Sequence, residues 1–203
     1  MGELVVTEFL TLDGVAQAPG GPDEDRESGF EHGGWQAPLL DEAAGGAIYE
    51  NARGMDALLL GRRTYDIFAG YWPNASADSP FTELLNRVPK YVGSSTLSEP
   101  LGWSNSTVIE GDLADAVREL KERHGQLHVI GSLDLTQTLL RHRLVDRLEL
   151  WIHPLTLGTG KRLFGDGTTP TSFRLRDSST YDSGAVRLSY ERAGTPTYGT
   201  IGA

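Results

Sequence analysis

The sequence predicts an α/β domain: a mostly parallel sheet with helices on both faces and an antiparallel edge at the C-terminal end. Three observations predict it. Helical and strand patterns alternate through the middle of the 203-residue chain, as they do when helices cover both sides of a sheet. Strand patterns alone close the chain, as expected for an antiparallel edge on a mixed sheet. Two apolar runs, Ala57-Leu58-Leu59-Leu60 and Leu127-His128-Val129-Ile130, stop at Gly61 and Gly131 and then shift to helical spacing. A turn of that kind exposes unpaired N–H groups at a helix start, and such groups bind phosphate. Two of them suggest a dinucleotide gripped from both ends.

The elements follow in order. Residues 3 to 10 alternate as a strand around Leu4 and Val6. Residues 11 to 37 hold glycine, proline and acidic residues with isolated Phe30 and Trp35; loops of that length inside a domain are often binding walls or lids. Residues 39 to 54 carry an apolar helical face of Leu39, Leu40, Ala43, Ala47 and Ile48. A buried strand at 56 to 60 leads to a helix at 62 to 70. A polar turn, Pro73 to Pro80, precedes a short helix at 80 to 87. Strands at Lys90 to Ser94 and Ser106 to Glu110 come before a helix from Asp112, its expected N-cap, to Arg123. Then come a strand at 126 to 130, a helix at 132 to 142 and a strand at 146 to 153. Gly158 to Pro170 is loop, and strands at 172 to 178 and 185 to 192 pair antiparallel. One domain is expected over 1–192, with 193–203 as a flexible tail rich in Gly, Thr and Pro.

Composition narrows the partners. A net charge of −10 disfavours nucleic acid and anionic membranes. It also means that an anionic cofactor needs a local cationic patch, and Arg62-Arg63 is the most evident one. No apolar run approaches the ~20 residues of a membrane span, and the N-terminus lacks a signal-peptide pattern. A cytoplasmic location is expected. The chain has no cysteine, which excludes disulfides and thiolate metal sites. His124 and His128 are spaced i, i+4, but Gly125 interrupts the helix, so no metal site is expected. Strand-rich edges near 146 to 192 favour a homodimer.

Several residues can carry chemistry. Gly61, Arg62, Arg63 and Thr64 offer backbone donors, a hydroxyl and two guanidinium forks for phosphate oxygens; the alternative is a glycine turn with solvated arginines. Gly131 permits close approach of a ligand, and Ser132 and Leu133 open the next helix; the alternative is a plain cap. Ser94, Ser95 and Thr96 end a strand where a ribose or its phosphate fits, or they form a hydroxyl turn. Asp13, before Gly14, stands at the carboxyl end of the first strand, where α/β sheets bind ligands; a turn aspartate is the alternative. His153 before Pro154 reads as a core or rim residue.

The order of these pieces, Thr11-Leu12-Asp13-Gly14, Leu60-Gly61-Arg62-Arg63-Thr64-Tyr65, Ser94-Ser95-Thr96-Leu97, Ile130-Gly131-Ser132, Leu144-Val145-Asp146-Arg147-Leu148 and His153 through Gly160, resembles the dihydrofolate reductase-like superfamily. Within it the pattern is similar to the branch holding the reductase domain of bacterial riboflavin biosynthesis and its stand-alone relatives, over roughly Glu3 to Arg192. The resemblance implies an eight-stranded, mostly parallel sheet with an antiparallel final strand. It implies an NADPH-dependent reductase, NADH being possible, acting on a small heterocyclic substrate such as an aminouracil. The phosphate turns would be Gly61, Arg62, Arg63, Thr64 and Gly131, Ser132. Two positions depart from the pattern. Ser132 replaces a second glycine whose peptide bond is often cis. Ser95 replaces an arginine that reaches the 2′-phosphate, a charge-assisted contact of ~1.5–3 kcal/mol. Gly14, Phe30, Trp35, Phe68 and Trp72 are expected around the substrate, and Asp13 is expected to orient it or to mediate proton delivery. The carboxylate that folate reductases carry on the helix after the first loop has no confident match; Asp41 and Glu42 lie in its region. The alternatives are a dihydrofolate-type reductase and a non-catalytic nucleotide-binding protein of the same fold.

Overall fold

The computed structural model describes residues 1–202 and gathers eight strands into one sheet. In chain order the elements are β1 (Glu3–Thr11), α1 (Glu42–Ala52), β2 (Ala57–Gly61), α2 (Arg62–Tyr71), α3 (Pro80–Arg87), β3 (Lys90–Gly93), β4 (Ser106–Val108), α4 (Leu113–Arg123), β5 (Gln126–Ile130), α5 (Leu133–Arg141), β6 (Arg147–His153), β7 (Ser172–Thr180) and β8 (Val186–Gly194). Across the sheet the order is β4-β3-β2-β5-β1-β6-β8-β7. The first six strands run parallel; β8 and β7 are antiparallel additions at one edge.

Local chemistry sets the element ends. Asp112 caps α4 by accepting from the Asp115 amide at 3.0 Å, as its sequence position suggests. The helix expected from residue 39 starts at Glu42, because Asp41 accepts from the Ala44 amide at 2.7 Å and so fixes the first turn there. The final strand runs two residues past the expected boundary at 192, since Gly194 pairs with Ser172.

β1 is buried on both faces, as a central parallel strand should be. Leu4, Val6 and Leu10 share a core with Ala114, Val117 and Leu120 of α4 and with Leu135, Leu139 and Leu140 of α5. A second core joins Leu58 and Leu60 of β2 to Tyr65 of α2, Leu84 and Leu85 of α3, and Trp103. Removing any one of these large side chains to alanine costs about 2–5 kcal/mol.

The sheet places a crevice beside β1. β5 ends with Ile130 opposite Thr7, and the Gly131 N–H donates to the Thr7 carbonyl at 3.1 Å. Beyond that point β1 continues to Thr11 with only β6 alongside it. A strand that loses one neighbour at its carboxyl end opens the cleft where α/β proteins bind ligands.

Candidate active site

That cleft widens into a cavity of about 680 Å³. Its lining draws on β1, the first loop, α1, both glycine turns and Lys161. The two turns predicted to grip a phosphate meet here. A Cβ built on Gly131 would lie 3.7 Å from Thr64 Cγ2, and the Gly61 N–H donates to Ser132 Oγ at 3.0 Å. Gly61, Arg62, Arg63, Thr64, Gly131, Ser132 and Leu133 all line the cavity.

The helix starts at this junction differ from the others. α1, α3 and α4 are capped by the side chains of Asp41, Ser79 and Asp112. α2 and α5 have no side-chain cap. Ser132 spends its hydroxyl on the neighbouring turn instead. The first-turn N–H groups of both helices are thus left as donors at one opening, and the two helix dipoles add positive potential there. These residues fit a pyrophosphate. The Gly131–Ser132 peptide is not cis; among the described residues only Glu99–Pro100 is. The chain turns through left-handed backbone at both Gly131 (φ 68°) and Ser132 (φ 61°). For the serine this conformation costs roughly 1–2 kcal/mol, and the hydrogen bond to Gly61 offsets part of it.

The first loop forms one wall of the cavity. Gln17 Nε2 donates to the carbonyls of Asp25 (3.1 Å) and Glu27 (3.2 Å), and its Oε1 accepts from the Lys161 amide at 3.0 Å. Four charges then clasp the loop to α2 and to the chain after β6. Arg63 reaches Asp25 and Glu27, each at 2.8 Å, and Lys161 reaches the same pair at 2.6 and 2.5 Å. Burial pushes the Asp25 carboxyl up, but the bonds to Lys161 and the charge of Arg63 outweigh it and hold Asp25 below its ordinary range. Glu24 accepts the amides of Gly20 (2.6 Å) and Gly21 (2.9 Å); burial nevertheless raises its pKa.

Other predicted residues lie elsewhere. Asp13 and Gly14 are not part of the lining. The Asp13 carboxylate accepts from Thr11 Oγ1 (2.6 Å), the Gly158 amide (2.8 Å) and the Leu157 amide (3.2 Å), with Arg162 at 3.5 Å. The Thr11 bond first, then the amides, depress its pKa to about 2, so it has no proton to give near neutral pH. This geometry corrects the expectation of a proton-relaying Asp13: the residue ties the end of β1 to the loop after β6. Phe30 and Trp35 form a separate buried cluster with Val15 and Ala18, and Trp35 Nε1 donates to the Gln17 carbonyl at 2.8 Å. They brace the loop from behind rather than face the cavity. Phe68 and Trp72 do line it, joined by Phe81 and Ile48.

Ser94 forms a hydroxyl turn, accepting the amides of Thr96 (3.1 Å) and Leu97 (3.0 Å). Ser95 and Thr96 are exposed; the cavity reaches only the preceding Gly93. Asp41 holds the Ser183 amide (3.1 Å) as well as its cap and does not line the cavity. His153 is buried against Trp35, and its Nδ1 sits 3.2 Å from the Trp151 carbonyl. Among the lining residues that the sequence reading passes over, Glu8 stands out. Its signal was a lone acid inside the apolar run Leu4 to Leu10.

The sheet order and the paired glycine turns define an α/β reductase-type fold of the dihydrofolate reductase-like kind. The chain belongs to the RibD C-terminal domain family, whose model matches residues 3–187. It is 30% identical over 141 residues to the Bacillus subtilis (strain 168) protein YyaP, covering 67% of this chain and 73% of that one. A Shewanella sp. PV-4 protein named for riboflavin biosynthesis superposes with a TM-score of 0.66 at 23% identity, over 94% of this chain and 98% of the other. A Thermotoga maritima deaminase/5-amino-6-(5-phosphoribosylamino)uracil reductase superposes with a TM-score of 0.62 at 14% identity. The match spans 95% of this chain but 57% of that two-activity protein. At these identities the structures speak for the fold.

Proposed function

We propose that the protein is an NAD(P)H-dependent reductase of a small heterocyclic substrate, related in chemistry to the aminouracil reductases of riboflavin synthesis. One observation carries the reading: the two helix starts that lack a side-chain cap converge on a single cavity. When bound, the cofactor supplies a hydride. Everything else falls to this chain. The N–H groups after Gly61 and Gly131, with Thr64, hold the pyrophosphate. Arg62, half exposed and paired among the described residues only with Asp66 at 3.1 Å, is the lining cation freest to meet a further phosphate. Phe68 and Trp72 offer flat apolar walls to a heterocycle, and the first loop excludes water. α1 turns Gly45, Ile48 and Ala52 toward the cavity and no carboxylate, which favours an aminopyrimidine-type over a dihydrofolate-type substrate.

Titration with NADPH and NADH tests this reading, because Trp72 lies on the wall and its fluorescence reports occupancy. Saturable quenching by NADPH at micromolar concentration is expected, with NADH weaker by no more than about tenfold, since the 2′-phosphate-binding arginine of the pattern is Ser95 here. No quenching by either cofactor removes the proposal.

A further inference from the structure

Glu8 occupies an unusual place on β1. It lies one residue past Thr7, where the β5 pairing has ended with the Gly131 N–H bonding the Thr7 carbonyl. It is 2% exposed and lines the cavity. Its Oε1 has no hydrogen-bond partner among the described residues. Its β6 neighbour in register is Leu150, which is apolar. Most charged groups around the cavity already have partners of their own. Glu24 holds loop amides, and Asp25 is clasped by Arg63 and Lys161. Arg62 pairs with Asp66, and Asp134 sits in the first turn of α5. α1 and α4 contribute only uncharged residues to the lining.

A leucine at this position would pack as Val6 and Leu10 do, without burying an unpartnered carboxyl. The acid therefore destabilises the fold, and it does so at a residue that borders the cavity. We propose that Glu8 is the proton donor of the reduction, protonating the heteroatom of a C=N or C=O bond whose carbon is being reduced. The inference rests on the reductase reading above. The substrate carbon gains a hydride, with its electron pair, from the dihydronicotinamide. The π electrons of the C=N or C=O bond move onto the heteroatom, which takes the proton from the Glu8 carboxyl. Glu8 is left as a carboxylate and is reprotonated by water once product leaves. Burial suits the group to this task, since it pushes the carboxyl up to about 8 and so keeps it protonated at neutral pH. A donor with its pKa near the working pH is the efficient one.

The test compares wild type with the isosteric Glu8→Gln from about pH 5 to about pH 10. The probes are 5-amino-6-(5-phosphoribosylamino)uracil and dihydrofolate, used with NADPH. Glu8→Gln should bind NADPH within about twofold of wild type and lose at least about 100-fold in kcat, the usual contribution of a positioned acid. Wild-type kcat should fall above about pH 8, and that limb should vanish in the variant. A variant that keeps kcat within about threefold, with the same pH profile, overturns the assignment. A second readout needs neither cofactor nor turnover. The infrared difference between wild type and Glu8→Gln, with 13C-labelled glutamate, should show a protonated carboxyl at neutral pH that ionises near pH 8. An ionised carboxylate at neutral pH overturns the proposal by itself. Failure of wild type to bind NADPH removes the reductase reading and proton donation with it, while the infrared band still reports the state of Glu8.

Discussion

At the scale of single residues, the buried acid of β1 links stability to pH in an uncommon direction. Unfolded, Glu8 ionises near its ordinary 4.5; folded, near 8. Between those values the folded chain holds one proton more than the unfolded chain, so stability is full below pH 4.5 and declines as pH rises toward 8. By pH 7 this amounts to a loss on the order of 3 kcal/mol relative to acid conditions. Glu8→Gln lacks that slope. Its melting temperature should fall less than that of wild type between pH 4.5 and pH 8; parallel curves would contradict the buried protonated state. Asp13 behaves in the opposite sense. Its carboxylate is held ionised, so its contribution is present above the ordinary 3.8 and fades as pH drops toward 2.

At the scale of elements, Asp13 acts as a strap between β1 and the chain after β6. Asp13→Ala leaves the Leu157 and Gly158 amides without their acceptor and should cost about 1–3 kcal/mol in denaturant unfolding, with NADPH affinity unchanged. A variant that melts like wild type but no longer binds cofactor would return Asp13 to the active site. The misreading of this residue is instructive. Asp-Gly at a strand end looks the same whether it faces a crevice or a loop, and the deciding partners lie 144 and 145 residues away along the chain. Phe30 and Trp35 mislead for the same reason, since what buries them is Val15, Ala18 and His153. The glycine junctions were legible because their signal is local: strand, glycine and helix follow one another within ten residues. Ser132 was harder. Its role in bonding the Gly61 amide depends on two turns meeting across 71 positions of sequence.

For the molecule as a whole, the sheet leaves β7 as one outer edge. Most of its residues are exposed, including Leu175 at 49%. The edge carries Arg174, Arg176 and Asp177 and two register shifts against β8, features that discourage open-ended strand addition. If the chain associates, a closed twofold contact is the form this edge leaves open. A homodimer in light scattering at micromolar concentration is the expected outcome, and a monomer there would remove it. Among the described residues no helix is long and apolar enough to cross a membrane.

The clasp of Asp25, Glu27, Arg63 and Lys161 has its own corollary. The wall over the cavity is fastened to α2 and to the chain after β6 by ions, and from behind by an apolar cluster. Two of its four fasteners belong to the segments that would greet an incoming anion. Should the proposed cofactor bind here, its phosphates would compete with the loop's carboxylates for Arg63 and Lys161, and binding would be coupled to this clasp. Added salt weakens the fastening while leaving the apolar layers beneath it intact.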